Sequence, residues 1–163
     1  MASERVTLTV SDPEGEREID LSSPNKVIWP EPSPGSGGIT KAELAEYFQV
    51  AAVPFLNANG NRPVSLERFR AGIGGESFFS KNPPKGTPDY VDSVMVTYNS
   101  GRQHPQIVLN RPSAIVWAAQ MNTIVFHPWA SLASDTDNPI ELRIDLDPQP
   151  GTDFADAVVA AHG

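Results

Sequence analysis

The chain contains no cysteine. That absence removes a disulfide framework, a thiolate zinc site, a cysteine-ligated iron–sulfur cluster, a cysteine nucleophile and thiol redox chemistry together. No apolar run approaches the ~18 residues of a membrane-spanning helix. The opening MASERVTLTV lacks the basic cluster and long apolar stretch of a signal peptide, so a cytoplasmic address without membrane contact is expected. No H-E-x-x-H pair and no Ser–His–Asp arrangement exists, which leaves zinc and triad hydrolases without support. Basic residues are scarce as well, 12 Lys and Arg against 20 Asp and Glu for a net charge of −8. Counterion release needs those cations, so a generic nucleic-acid binder is disfavoured.

What is present fits one ordinary domain: 163 residues, 39% hydrophobic, enough to bury a core without staples. The charge is unevenly placed. Arg62, Arg68, Arg70, Lys81 and Lys85 face only Glu67 and Glu76 in the middle of the chain, a local excess of +3. From Asp135 onward seven acids face Arg143 alone, a local excess of −6. A basic middle and an acidic tail suit a phosphate-facing surface and a cation-binding surface; scattered solvated charges are the plainer alternative.

Residues 5–10 and 16–21 alternate around Asp12-Pro-Glu-Gly15 and predict an opening hairpin. The Pro-, Gly- and Ser-rich stretch 24–38 should be irregular. Thr40-Lys-Ala-Glu43 reads as a capping box, with Leu44, Phe48, Ala51, Ala52 and Phe55 following at helical spacing. Strands are expected near 62–69, 77–81, 91–98, 106–109, 123–127 and 141–146. Helices are expected after Pro112 and over 151–161. A strand–helix unit normally runs on into another strand, so the chain is expected to stop partway through its architecture.

The sharpest chemical feature is Asp145-Leu146-Asp147-Pro148. On a strand the two carboxylates point the same way, about 7 Å apart, and repel unless a cation lies between them. Hard cations such as Mg²⁺ or Mn²⁺ take such oxygen donors; an exposed strand end with incidental acids is the alternative. His127, in Phe126-His-Pro-Trp129, can donate to a phosphate or nucleotide oxygen, or can be a satisfied half-buried residue. Lys26 and Lys41 flank the Pro/Gly loop. Lys41 opposes the helix dipole unless an anion sits there, and two solvated lysines are the plain reading. Phe78 and Phe79 face opposite sides of a strand, so one can be core while the other, beside Lys81, is free to stack on a base; a strand covered on both faces is the alternative.

Taken in order, six blocks resemble the polymerase domain of bacterial ligase D, in the archaeo-eukaryotic primase superfamily. They are Asn25-Lys-Val-Ile-Trp-Pro30, Thr40-Lys-Ala-Glu-Leu-Ala-Glu-Tyr-Phe48, Arg62-Pro-Val-Ser-Leu-Glu-Arg-Phe69, Phe78-Phe-Ser-Lys81, Phe126-His-Pro-Trp129, and Asp145-Leu-Asp-Pro148 with Asp153-Phe-Ala155. The resemblance implies an α+β fold: a mixed-sheet N-terminal module followed by the start of an RNA-recognition-motif-like catalytic sheet. Residues 1–163 would be a single, truncated primase-polymerase-type domain, with 1–111 as its DNA-end-binding part and 112–163 as the start of its catalytic module.

By position the resemblance implies Asp145 and Asp147 as catalytic metal ligands for Mn²⁺ or Mg²⁺ and His127 as the nucleotide contact. Lys26 and Lys41 would hold the 5′-phosphate of a DNA end, and Arg68, Phe78, Phe79 and Lys81 would make templating-side contacts. Glu67 stands where many relatives carry a second basic residue. The implied activity is template-dependent nucleotidyl transfer, from nucleoside triphosphates onto DNA ends, in non-homologous end joining. The implied partners are an ATP-dependent DNA ligase and Ku, and the implied location is the nucleoid. The later motifs of such domains, a triphosphate-binding Ser motif and a third carboxylate, have no counterpart here. A non-catalytic module that grips 5′-phosphorylated ends is therefore the alternative. An Mn²⁺-dependent glycosyltransferase would also use D-x-D but leaves Lys26, Lys41 and the Phe pair unexplained.

Overall fold

The computed structural model describes residues 4–31, 35, 37–98 and 100–162. Part of the stretch expected to be irregular, residues 32–34 and 36, lies outside the described residues, as do residues 1–3, 99 and 163. Strands β1 (Arg5–Asp12) and β2 (Gly15–Ser22) form the opening hairpin, in register from Arg5↔Ser22 to Asp12↔Gly15. Within the Pro-rich stretch, β3 (Val27–Trp29) pairs with β4 (Ile39–Thr40). Irregular backbone was expected there; the β-branched and aromatic residues 27–29 override it by burying Ile28, which is 1% exposed.

Helix α1 (Lys41–Asn59) starts as the sequence indicates, with Thr40 and Glu43 forming a reciprocal capping box. Pro54 lies inside it, and it ends at Gly60, where a Cβ would sit 2.5 Å from the Leu56 carbonyl oxygen that the Gly60 N–H binds. Strands β5 (Val64–Arg68), β6 (Phe78–Ser80), β7 (Asp92–Thr97) and β8 (Gln103–Val108) follow. Then come α2 (Pro112–Gln120), β9 (Thr123–Pro128), β10 (Ser131–Leu132), β11 (Asp135–Pro139) and α3 (Phe154–His162). The α+β class is as expected, and every described strand pairing is antiparallel.

Helix α2 is apolar enough to be buried along most of its length, from Ser113 to Ala119. It packs on α1 and on the β1–β2 hairpin, gathering Val10, Ile19, Leu21, Leu44, Phe48, Ile115, Val116 and Trp117 into one core. Its N-terminus has no cap of its own. Asp12 supplies one from the hairpin, accepting from the Ser113 N–H at 2.9 Å and from Ser113 Oγ at 2.6 Å. The central sheet runs β6-β5-β9. Leu66 and Phe126 face the core, where Phe126 meets Phe48 and Phe55 at ring distances of 5.3 and 4.9 Å. The opposite face of that sheet is open.

One expected strand does not form. Residues 142–149 have no regular structure, and none of the described strands pairs with them. The alternation of Leu142, Ile144 and Leu146 is strand-like, yet these residues are 84%, 72% and 41% exposed. Alternation sets which face a strand would bury, but a strand also needs a neighbour for its backbone groups. Asp145 and Asp147 consequently do not stand on a catalytic sheet. The following helix α3 has no buried residue.

Candidate nucleic-acid interface

The β3–β4 pairing brings Lys26 and Lys41 together, with the Lys41 N–H donating to the Lys26 carbonyl at 2.8 Å. Lys41 is 3% exposed, and its Nζ donates to the Ser22 carbonyl at 3.0 Å. Burial, then the neighbouring charges of Lys26 and Arg68, push the Lys41 amine down from 10.5 to about 8. Lys26 Nζ donates to the Arg70 carbonyl. The turn that presents this carbonyl depends on Gly72, whose φ is +87° and where a Cβ would lie 2.8 Å from the Ile28 carbonyl oxygen.

Arg68 completes the group from β5. Its Nε donates to the Met121 carbonyl at 2.8 Å and one terminal nitrogen donates to Ser80 Oγ at 3.1 Å. The Arg68 and Arg70 guanidiniums lie 4.8 and 4.6 Å from the centroid of the Phe78 ring. Burial, then Arg70, pulls the Arg68 guanidinium below its usual value. Among the described residues no ion pair involves Lys26, Lys41, Arg68 or Arg70. Cations gathered without a carboxylate repel one another, and an anion relieves that repulsion. In a chain of net charge −8 this local concentration of cations is a candidate anion site.

The open face of the central sheet carries the next group. Register sets Glu67 opposite Phe79 on one side and opposite Val125 on the other, with His127 opposite Ser65. Phe79 is 56% exposed while Phe78 is half-buried, which is the division expected of consecutive strand residues. The Phe79 and His127 rings are 5.2 Å apart. Glu67 accepts from Ser77 Oγ at 2.7 Å and lies 3.0 Å from His127 Nε2. These hydrogen bonds, Ser77 first and His127 second, hold its carboxyl below the usual carboxylate range. The unexpected acid of the basic stretch thus orients His127.

Beside Phe79 a groove of about 630 Å³ is lined by Lys81, Tyr98, Arg102 and His104, with the Tyr98 and His104 rings edge-on at 5.7 Å. Tyr98, Arg102 and His104 were not singled out in the sequence, and Arg70 entered only as one of the cations of the basic middle. The signal for Tyr98, Arg102 and His104 was a turn at Gly101 with an aromatic and two bases around it. Cations and aromatic faces in one groove can hold phosphate and stack bases.

Asp145 and Asp147 stand apart from these groups, on the exposed arm after β11. They share a cleft of about 320 Å³ with Thr152 and with Asp156 of α3. Oxygen donors of this type suit Mn²⁺ or Mg²⁺. Among the described residues, however, no three His, Asp or Glu side chains are gathered to hold a metal ion. No described helix is long and apolar enough to cross a membrane.

This α+β architecture is shared with a solved polymerase domain. It superposes on the polymerase domain of *Mycobacterium tuberculosis* ligase D, solved in complex with DNA, with a TM-score of 0.62 at 22% identity, over 69% of this chain and 37% of that one. Residues 40–163 match the model of the LigD primase-polymerase domain, and the chain belongs to that family. Relatives include the multifunctional non-homologous end joining proteins LigD of *Mycolicibacterium smegmatis*, 27% identical over 88% of this chain, and *Pseudomonas aeruginosa*, 34% over 81%. The bifunctional LigD of *Bacillus subtilis* is 36% identical over 74%. The chain spans 15 to 18% of the length of these relatives.

Proposed function

We propose that this chain works in template-dependent nucleotidyl transfer at DNA ends during non-homologous end joining. The observation that carries the reading is the cluster of Lys26, Lys41, Arg68 and Arg70, which lacks any ion-pair partner among the described residues and adjoins the exposed Phe79 and the Lys81 groove. In this reading Lys26 and Lys41 take the 5′-phosphate of a DNA end. Lys41 reaches it once its amine exchanges the Ser22 carbonyl for the phosphate. Arg68 and Phe78 form the wall between that phosphate and the templating strand, whose bases stack on Phe79 while Lys81 holds its backbone. His127, oriented by Glu67, contacts the incoming nucleoside triphosphate.

Asp145 and Asp147 would hold Mn²⁺ or Mg²⁺, which when bound neutralises phosphate charge during transfer. Ku and an ATP-dependent ligase are the partners of this reading, and the nucleoid is its place of work. Family membership favours it over a module that binds ends without catalysis. The test is primer extension on a gapped, 5′-phosphorylated template with Mn²⁺ and ribonucleotides. Extension that is lost in Asp145→Ala supports the proposal. Tight binding of the phosphorylated end with no extension supports the binding module instead.

A further inference from the structure

The arm that carries Asp145 and Asp147 leaves the body through a small set of contacts. Among the described residues, its last hydrogen bonds and ion pairs to the body come from Ile140, Glu141 and Arg143. The Ile140 N–H donates to the Ala130 carbonyl at 3.0 Å. Arg143 donates to the Pro128 carbonyl at 2.7 Å and, through Nε, to Glu141 Oε1 at 2.5 Å. Arg62, from the start of the central sheet, donates to the Trp129 carbonyl at 2.9 Å and to Glu141 Oε2 at 3.1 Å. Two guanidiniums therefore grip the consecutive carbonyls of residues 128 and 129, at the end of β9, and one carboxylate sits between them.

The arrangement differs from an ordinary surface ion pair because Arg62 is only 6% exposed. A buried guanidinium depends on its carboxylate, since removing the partner leaves an uncompensated charge. Glu141 is held below the usual carboxylate range, by the Arg143 hydrogen bond first, and is ionised at neutral pH. Without it the two cations would repel each other and release the arm. Beyond Arg143 the described hydrogen bonds of the arm are all internal to it, such as Gln149 to the Asp147 carbonyl and the Ala155 N–H to Asp153.

We propose that Arg62, Glu141 and Arg143 are positioning residues: an ion triad that fixes where the Asp145–Asp147 arm departs from the strand end carrying His127. Asp145 follows Arg143 by two residues, about 7 Å of extended chain. The triad thus fixes the point from which the acidic pair extends, without any strand pairing. The purpose of that positioning rests on the reading of Asp145 and Asp147 as a cation site; the clamp itself does not.

The chain's lack of cysteine permits a direct test. Spin labels are placed on Ser93→Cys and Ile144→Cys, both exposed, one on β7 and one on the arm directly after Arg143. Their separation is measured by pulsed electron resonance without any metal, so the cation reading does not enter. The labelled parent should give one narrow distance distribution. Glu141→Ala should broaden it roughly twofold or more on the nanosecond-to-microsecond conformers that freezing traps. Because Glu141→Ala strands a buried cation and can lower stability, Arg143→Ala, at the half-exposed end of the triad, is measured beside it, with circular dichroism confirming the fold. A broad distribution in the parent overturns the proposal. So does an unchanged distribution in Arg143→Ala, whatever happens to the melting temperature, because a role in stability alone moves the melt and not the distance.

Discussion

Lys41→Met should make the protein more stable at pH 7 and less stable at pH 10.5. The amine is depressed from 10.5 to about 8 by burial and by Lys26 and Arg68. At ~1.4 kcal/mol for each tenfold change in proton affinity, keeping it charged costs the folded state about 3 kcal/mol. The folded chain holds a proton on this group less tightly than the unfolded chain. Between pH 8 and 10.5 the unfolded state therefore binds more protons, and stability rises with pH through that window. Below pH 8 the penalty is present in full. Methionine has nearly the same length and no charge, so it removes the penalty but gives up the hydrogen bond to the Ser22 carbonyl, worth about 1–1.5 kcal/mol. The net gain at pH 7 is about 1–2 kcal/mol, or a melting temperature higher by about 3–6 °C. At pH 10.5 the parent amine is neutral, the penalty is gone, and the variant is worse by the lost hydrogen bond alone. Urea melts of both proteins at the two pH values provide the comparison. A variant that is less stable at both would refute the reasoning, because Lys41 would then be a satisfied structural residue and not a cation held ready for an anion.

The neighbouring groups give further expectations. Phe79→Ala should weaken single-stranded DNA binding by ~1–3 kcal/mol, measured by fluorescence anisotropy, with no loss of stability, since the ring is exposed. Phe78→Ala should show the reverse emphasis in thermal melts, because that ring packs under two guanidiniums. Asp145→Asn and Asp147→Asn should leave the melting temperature unchanged and abolish Mn²⁺ binding followed by electron resonance; retained binding would move the cation elsewhere. Asp12→Ala should cost about 2 kcal/mol or more in urea denaturation, since one carboxylate caps α2 and pairs with Arg17.

Local chemistry made much of this molecule legible in the sequence. The capping box of Thr40 and Glu43, the proline that opens α2 and the opposite faces of Phe78 and Phe79 each depend on residues within a few positions of one another. The backbones of Lys26 and Lys41 adjoin because β3 and β4 pair beside them. What the sequence hid is set at a distance. The cap of α2 comes from Asp12, 101 residues away. The burial of Lys41 under the Ser22 carbonyl depends on how α1 meets the hairpin, which spacing cannot reveal. Residues 141–146 alternate as a strand should, but alternation carries no information on whether a partner strand lies beside them.

The central claim is that the cations around Lys26 and Lys41 recognise a phosphate at a DNA end. Its most direct measurement compares two recessed duplexes that differ only in a 5′-phosphate or a 5′-hydroxyl, titrated by anisotropy at rising salt. The account predicts tighter binding of the phosphorylated end, a preference that shrinks as salt rises and that Lys26→Ala and Lys41→Ala each reduce. Equal affinity for the two ends at low salt would contradict it.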